Sequence, residues 1–186
     1  VGADSSSWAT GTYSEITLLN FYQDAGSNDS LTGKFQEFLF FNSDVSNDRA
    51  AIENDMNSAF NSYSLARSQG AQKLLNEYPS AAAAYSVRHL NANYSGPIMR
   101  IDNGYTELDI YPLPNGDLDT ESIIQHAKVN TSTGAARISV WYDQSGNGND
   151  AVQAVNNNQP TICRNLSIVY ENGKPAVDFD GSSDTF

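Results

Sequence analysis

The chain reads as short apolar runs separated by polar, glycine- and asparagine-rich punctuation. Tyr13 to Tyr22 holds one such run and predicts a strand, followed by a polar loop from Asp24 to Ser30. Lys34 to Phe41 is the strongest strand signal, and its continuous apolar end predicts burial on both faces. A change of period follows. Ile52, Met56 and Phe60 recur at helical spacing behind Ser46, which predicts an amphipathic helix with Asp48 in its first turn. Leu65 to Tyr78 reads as a second helix or a linker, weakened by Gly70. Pro79-Ser80 then predicts a third helix over Ala81 to Leu90, with Ser80 as its cap.

Beyond residue 90 the pattern is mostly that of strands. Ile98 to Ile101 and Leu108 to Tyr111 flank Asn103-Gly104, a hairpin signal. Asp119 caps a short helix through Ala127. Arg137 to Tyr142 alternates and is rich in β-branched and aromatic residues, so it reads as a strand. Ser167 to Tyr170 and Ala176 to Phe179 form a second hairpin about Asn172-Gly173.

Trp141-Tyr142-Asp143-Gln144-Ser145-Gly146-Asn147-Gly148-Asn149-Asp150 carries the most chemistry in the chain. An aromatic strand end runs into a tight loop of acids, amides and two glycines. Such a segment reads in two ways. It pins a turn, or it forms a sugar-binding rim. In the second reading Trp141 and Tyr142 stack on a ring while Asp143, Gln144, Asn147 and Asn149 bond its hydroxyls. Asp143-x-Ser145-x-Asn147-Gly148 also imitates the start of a calcium loop, but the twelfth position is Ala154, where a bidentate glutamate is needed. His89 and His126 read as surface or boundary histidines. Cys163, the lone cysteine, reads as a small packed residue beside Ile162.

Charge narrows the partners. Twenty-two acids against 10 bases give a net charge of −12, which opposes a phosphate backbone. No apolar run is long enough to cross a membrane as a helix. The asparagine-rich composition (20 residues) produces four Asn-x-Ser/Thr triplets, at Asn28, Asn93, Asn130 and Asn165, the number expected by chance.

An ordered series of segments resembles the opening of a concanavalin A-like (laminin-G/jelly-roll) domain. It comprises Ala84-Tyr85-Ser86-Val87-Arg88, Tyr94-Ser95-Gly96-Pro97, Gly116-Asp117-Leu118-Asp119, the Trp141 segment, and Gly173-Lys174-Pro175-Ala176 with Phe179-Asp180-Gly181. The series is similar to the start of family 54 α-L-arabinofuranosidase catalytic domains and to many bacteriophage tail, fibre and virion-surface proteins. Leu74 to Tyr85 most resembles the phage versions. Gly33 to Asp44, with the helix from Ser46, resembles the last strand and closing helix of such a domain.

The resemblance implies a mainly β protein, a jelly-roll sandwich with a few accessory helices, met out of phase. Residues 1–65 would close one sandwich, 66–80 would link, and 81–186 would open a second. A chain so ordered would be a slice of a longer tandem protein or would need neighbouring copies to complete its core. The implied function is a non-enzymatic tail-fibre, tail-associated or capsid decoration protein at the virion surface or outside the cell. Its partners would be other copies, other particle subunits or host glycans, with neither nucleic acid nor membrane insertion. The alternatives are an arabinofuranosidase-like hydrolase fragment and a bacterial cell-surface adhesion module. For the hydrolase, the resemblance offers only Asp24 and Asp29 as acid/base candidates, and the nucleophile would lie in strands this chain lacks. No cofactor is implied. Sandwiches of this kind often hold calcium, and the sequence shows no ligand set for one.

Overall fold

The apolar run at Lys34 to Phe41 is two strands that meet at Gln36. In the computed structural model, which describes residues 20–23, 27–30, 32–41, 43–60, 73–129 and 132–186, the first is β3 (Thr32–Phe35) and the second β4 (Glu37–Phe41). A hairpin of β1 (Asn20–Gln23) and β2 (Ser27–Ser30) precedes them. The helices α1 (Arg49–Phe60) and α2 (Leu74–Glu77) follow. Then come β5 (Ala81–Ser86), β6 (Met99–Asp102), β7 (Glu107–Ile110), α3 (Thr120–Lys128) and β8 (Ala136–Trp141). The chain ends in short strands: β9 (Ala151–Val152), β10 (Thr161–Arg164), β11 (Ser167–Ile168), β12 (Tyr170–Glu171), β13 (Lys174–Pro175) and β14 (Val177–Asp180).

The protein is mainly β, with one antiparallel sheet of eight strands. Its path is β3-β14-β10-β8-β6-β7, with β11 added to β10 and β9 to β8. β4 and β5 form a separate two-stranded sheet. Gln36 is where the chain leaves one sheet for the other. Its amide donates to the carbonyls of Glu171, Lys174 and Pro175 (3.3, 3.4 and 3.0 Å), and its own carbonyl accepts from the Val87 N–H (2.9 Å). The break therefore leaves these four carbonyls bonded.

Burial of this apolar run on both faces is what the structure shows. Phe38 and Phe40 pack with Tyr85, Val87 and Trp141 in the main core. Leu39 and Phe41 face the other way, onto Leu74, Leu75, Met56 and Leu90. The helix expected over Ala81 to Leu90 is instead strand β5. Alanine favours helices, but here the small side chains lie opposite large ones. Phe40 pairs with Ala83, Leu39 with Ala84 and Phe41 with Ala81. The pairing supplies ladder bonds and partly buries four aromatic or aliphatic side chains, Phe38 to Phe41, and it outweighs local propensity. Ser80 stands in the turn before β5 and caps no helix.

Other expectations shift by a few residues. Of the strand read at Tyr13 to Tyr22, the described part begins at Asn20 and runs to Gln23. Ser27 to Ser30, read as loop, is a strand paired with it, and residues 24–26 lie outside the described residues. The first helix begins at Arg49, three residues after Ser46, because Asp44 accepts from the Ser46 N–H and holds residues 46–48 as a turn. The Asp48 carbonyl then accepts from Ala51 and Ile52. Of the second helical stretch, residues 65–72 lie outside the description, and α2 is one turn. Asp119 caps α3 as its sequence predicts, accepting from the Ser122 N–H at 3.0 Å. Both hairpin turns form. Gly104 has φ 88°, and Asn172-Gly173 has φ 50° and 75°, the positive values such turns require.

The division at 1–65, 66–80 and 81–186 is not a division of the core. β3 pairs with β14 and β4 with β5, so the segment read as a closing piece lies on the segment read as an opening piece. Ala59 and Phe60 of α1 join Tyr85, Trp141, Ile138 and Phe179 in one cluster. The inner face of the large sheet is covered from within, by β4–β5 and by Ile123 and Ala127 of α3. Trp141, Tyr85, Ile101, Ile138 and Ile162 are fully buried by residues of the same chain.

Candidate functional site

The segment from Trp141 to Asp150 leaves the end of β8 and turns back along the free edge of β5. Gly146 and Gly148, at φ 92° and 76°, give it the positive backbone angles of a tight loop. β5 is bonded to β4 on one side only, and a strand edge carries a row of backbone groups that need partners. The loop supplies them, residue by residue. The Trp141 indole N–H donates to the Ser86 carbonyl at 3.1 Å. Asp143 Oδ1 accepts from the Ala84 N–H at 2.9 Å, and the Gln144 N–H donates to the Ala84 carbonyl at 2.8 Å. The Asn147 amide donates to the carbonyls of Ala81 and Ala82, both at 3.0 Å, and the Asn149 amide to Ala82 at 2.9 Å. The Tyr85 hydroxyl closes the set on the Asn149 carbonyl.

The loop also holds itself. Asp143 accepts from the Ser145 N–H (2.8 Å), the Ser145 hydroxyl (2.8 Å) and the Asn149 N–H (3.0 Å). Its own N–H donates to Asp150 Oδ1 at 2.9 Å. Gln144 reaches the next stretch of chain: its Oε1 accepts from the Leu90 N–H at 2.8 Å and its Nε2 donates to the Arg88 carbonyl at 3.0 Å. Both Asp143 oxygens are thus bonded within the chain, each twice.

The residues proposed for sugar contact therefore part into two groups. Trp141 and Gln144 are fully buried, Asp143 nearly so, and none of the three offers a surface to a ligand. Tyr142 is half-buried, and Asn147 and Asn149 are exposed. The Tyr142 hydroxyl donates to Asp109 Oδ1 at 2.9 Å, and the Arg100 guanidinium lies 5.9 Å from its ring centre. Desolvation, with the bond to Asp109, pushes the Tyr142 hydroxyl up to about 12. The calcium-like spacing at 143, 145 and 147 carries hydrogen bonds among these residues and to β5. Among the described residues no cluster of three or more His, Cys, Asp or Glu side chains is placed to hold a metal ion.

Of the hydrolase candidates, Asp24 lies outside the described residues. Asp29 stands on β2 opposite Phe21. His89 bonds the Tyr94 carbonyl at 2.8 Å and His126 the Thr106 carbonyl at 2.9 Å, so both tie loops to the body of the fold. Cys163 is buried, which raises its thiol pKa.

Sequence reasoning did not single out a cleft of about 330 Å³ beyond the far end of β5, lined in part by Phe60, Arg88, Asp117, Thr120, Tyr170 and Lys174. Arg88 is its hub. The guanidinium bonds both oxygens of Glu37 (2.8 and 3.1 Å) and Asp55 Oδ2 (2.5 Å), and lies 5.5 Å from the Phe60 ring centre. Coulombic and hydrogen-bond contacts to these carboxylates raise the Arg88 pKa against the opposing effect of burial. Two of the quoted segments, Ala84 to Arg88 and Gly116 to Asp119, meet at this cleft, a convergence visible only in three dimensions. Comparison of the chain with known protein families, curated proteins and solved structures finds no match.

Proposed function

We propose that this chain is a non-enzymatic structural module of a bacteriophage particle surface, a tail-fibre, tail-associated or capsid decoration protein built on a concanavalin A-like jelly roll. One observation carries the non-enzymatic reading. The segment richest in acids and amides spends those groups on the edge of β5, so its chemistry is structural. An antiparallel sheet facing a second, smaller sheet across one apolar core supports the sandwich reading. A net charge of −12 suits a soluble, exposed module that avoids nucleic acid. Within this reading, contact with host glycans falls to Tyr142, Asn147 and Asn149, held in place by their buried neighbours.

Immunogold labelling with antibody against the chain tests the location. Gold on the particle surface is the expected image. Label confined to particle-free protein would refute the assignment. The companion assay offers an aryl-α-L-arabinofuranoside. No turnover is expected, and turnover abolished by Asp24→Asn or Asp29→Asn would establish the hydrolase instead.

A further inference from the structure

We propose that the outer edge of β7 joins to the same edge of a second copy of this chain, through an antiparallel pairing centred on Leu108. This goes beyond the reading above and is independent of it. Strand β7 ends the six-strand path, and among the described residues no strand lies beyond it. Nine large hydrophobic side chains are exposed among the described residues, and four of them, Tyr105, Leu108, Tyr111 and Leu113, fall in this one short segment. A free edge bordered by exposed aromatic and aliphatic side chains is a template for pairing. No lysine or proline blunts it between Tyr105 and Tyr111, and Pro112 ends it.

The segment itself names the occupant. Tyr105-Thr106-Glu107-Leu108-Asp109-Ile110-Tyr111 is nearly symmetric about its centre, with tyrosine at each end and an acid on each side of a central leucine, and departs from symmetry at Thr106 and Ile110. An antiparallel two-fold pairing puts each tyrosine of one copy opposite a tyrosine of the other, and Leu108 against Leu108. Such a contact is isologous, so it closes as a dimer. Cross-strand aromatic pairs favour it. Tyr105 is 70% exposed, Tyr111 54% and Leu108 38%, so all three have surface to bury.

The acids decide its strength. Glu107 of one copy meets Asp109 of the other, and like charges directly opposite are unfavourable. Asp109 is not bare, however. Arg100 of its own copy bonds it through Nε at 2.8 Å and Nη2 at 3.0 Å. A residual repulsion remains, because Glu107 forms no ion pair among the described residues and feels Arg100 only at longer range. So short a contact lies below the standard size of a stable interface, and a dissociation constant on the order of 10 to 100 µM is expected.

Sedimentation of the whole chain over about 1 µM to about 1 mM, in low and high salt, tests this over the concentrations where weak interfaces exchange. The expected result is a monomer–dimer equilibrium that tightens as salt screens Glu107 from Asp109. Leu108→Lys places a charge at the partly exposed centre and is expected to weaken the dimer at least about tenfold with an unchanged melting temperature. Glu107→Lys is expected to act the other way. It sets a cation opposite Asp109, tightens the dimer by about tenfold and reverses the salt dependence. A monomer at every concentration and salt would overturn the proposal, as would a Glu107→Lys dimer no tighter than the parent. Species larger than a dimer would also overturn it, since they would place the contact between β7 and the opposite sheet edge at β3.

Discussion

Asp143 shows how a residue's role follows from what surrounds it. In sequence it stands among amides and aromatics and invites a ligand. In the fold its two oxygens accept four hydrogen bonds, three from backbone N–H groups and one from the Ser145 hydroxyl. Asp143→Asn keeps the size but turns half of the group into a donor facing N–H donors. A loss of about 2 to 3 kcal/mol in urea unfolding is expected, since buried donors lose their acceptor. Acid acts on the same kind of contact elsewhere. The Arg100 donors hold the Asp109 carboxyl below its usual range, helped by the Tyr142 hydroxyl. The Ser122 hydroxyl and N–H do the same for Asp119. Asp44 and Asp180 are also lowered, and Asp184 is the one carboxyl among the described residues that is raised, by burial. A carboxyl lowered in the folded state contributes stability that is present above its unfolded pKa of about 3.9 and fades as pH falls through the folded value. Asp184 works in the opposite sense. With four lowered against one raised among the described residues, the melting temperature should fall below about pH 4, and Asp109→Asn should flatten that fall.

At the scale of elements, β4 and β5 depend on each other and on Arg88. β5 is too short of side-chain volume to be a strand alone. It is one because phenylalanines of β4 fill the space over its alanines and the Trp141 loop bonds its other edge. α1 is tied to this sheet through Asp55, bonded to Arg88, which also holds Glu37 of β4. Arg88→Ala would leave the Glu37 carboxylate buried without its cation, bonded by the Ser86 hydroxyl (2.7 Å). Removing one partner of a buried pair costs about 3 to 5 kcal/mol. Hydrogen exchange should quicken across residues 49–60 in this variant while α3, whose residues accept no bond from the Arg88 guanidinium, keeps its protection. Equal quickening in both helices would show that Arg88 is not the specific tether of α1.

At the scale of the whole molecule, the first and last strands of the eight-stranded sheet meet. β3 pairs with β14 along four registered residues, and Phe35 stacks edge-on against Phe179 at 5.4 Å. Residues 32–60 and 81–186 therefore share one core, and urea unfolding should be a single transition. Tryptophan fluorescence and far-ultraviolet circular dichroism should coincide, as two-state unfolding requires. Two separated transitions would mean that the segments fold apart. The resemblance read in the sequence placed these segments in different sandwiches because it followed their order along the chain, and order does not say which strands pair.

Several features follow from the sequence alone. The hairpin turns at Asn103-Gly104 and Asn172-Gly173, the Asp119 cap and the two-faced burial of Phe38 to Phe41 are local. Each depends on backbone angles or on periodicity within a few residues. The switch of sheets at Gln36, the strand at Ala81 to Ser86 and the sealing of its edge by the Trp141 loop needed the tertiary structure. Their energies come from partners 40 to 139 positions away, as the Phe41–Ala81 pairing at one end and the Gln36–Pro175 bond at the other illustrate. A polar side chain in a loop looks the same in sequence whether it meets a ligand or a backbone. Only the strand edge lying beside it decides which.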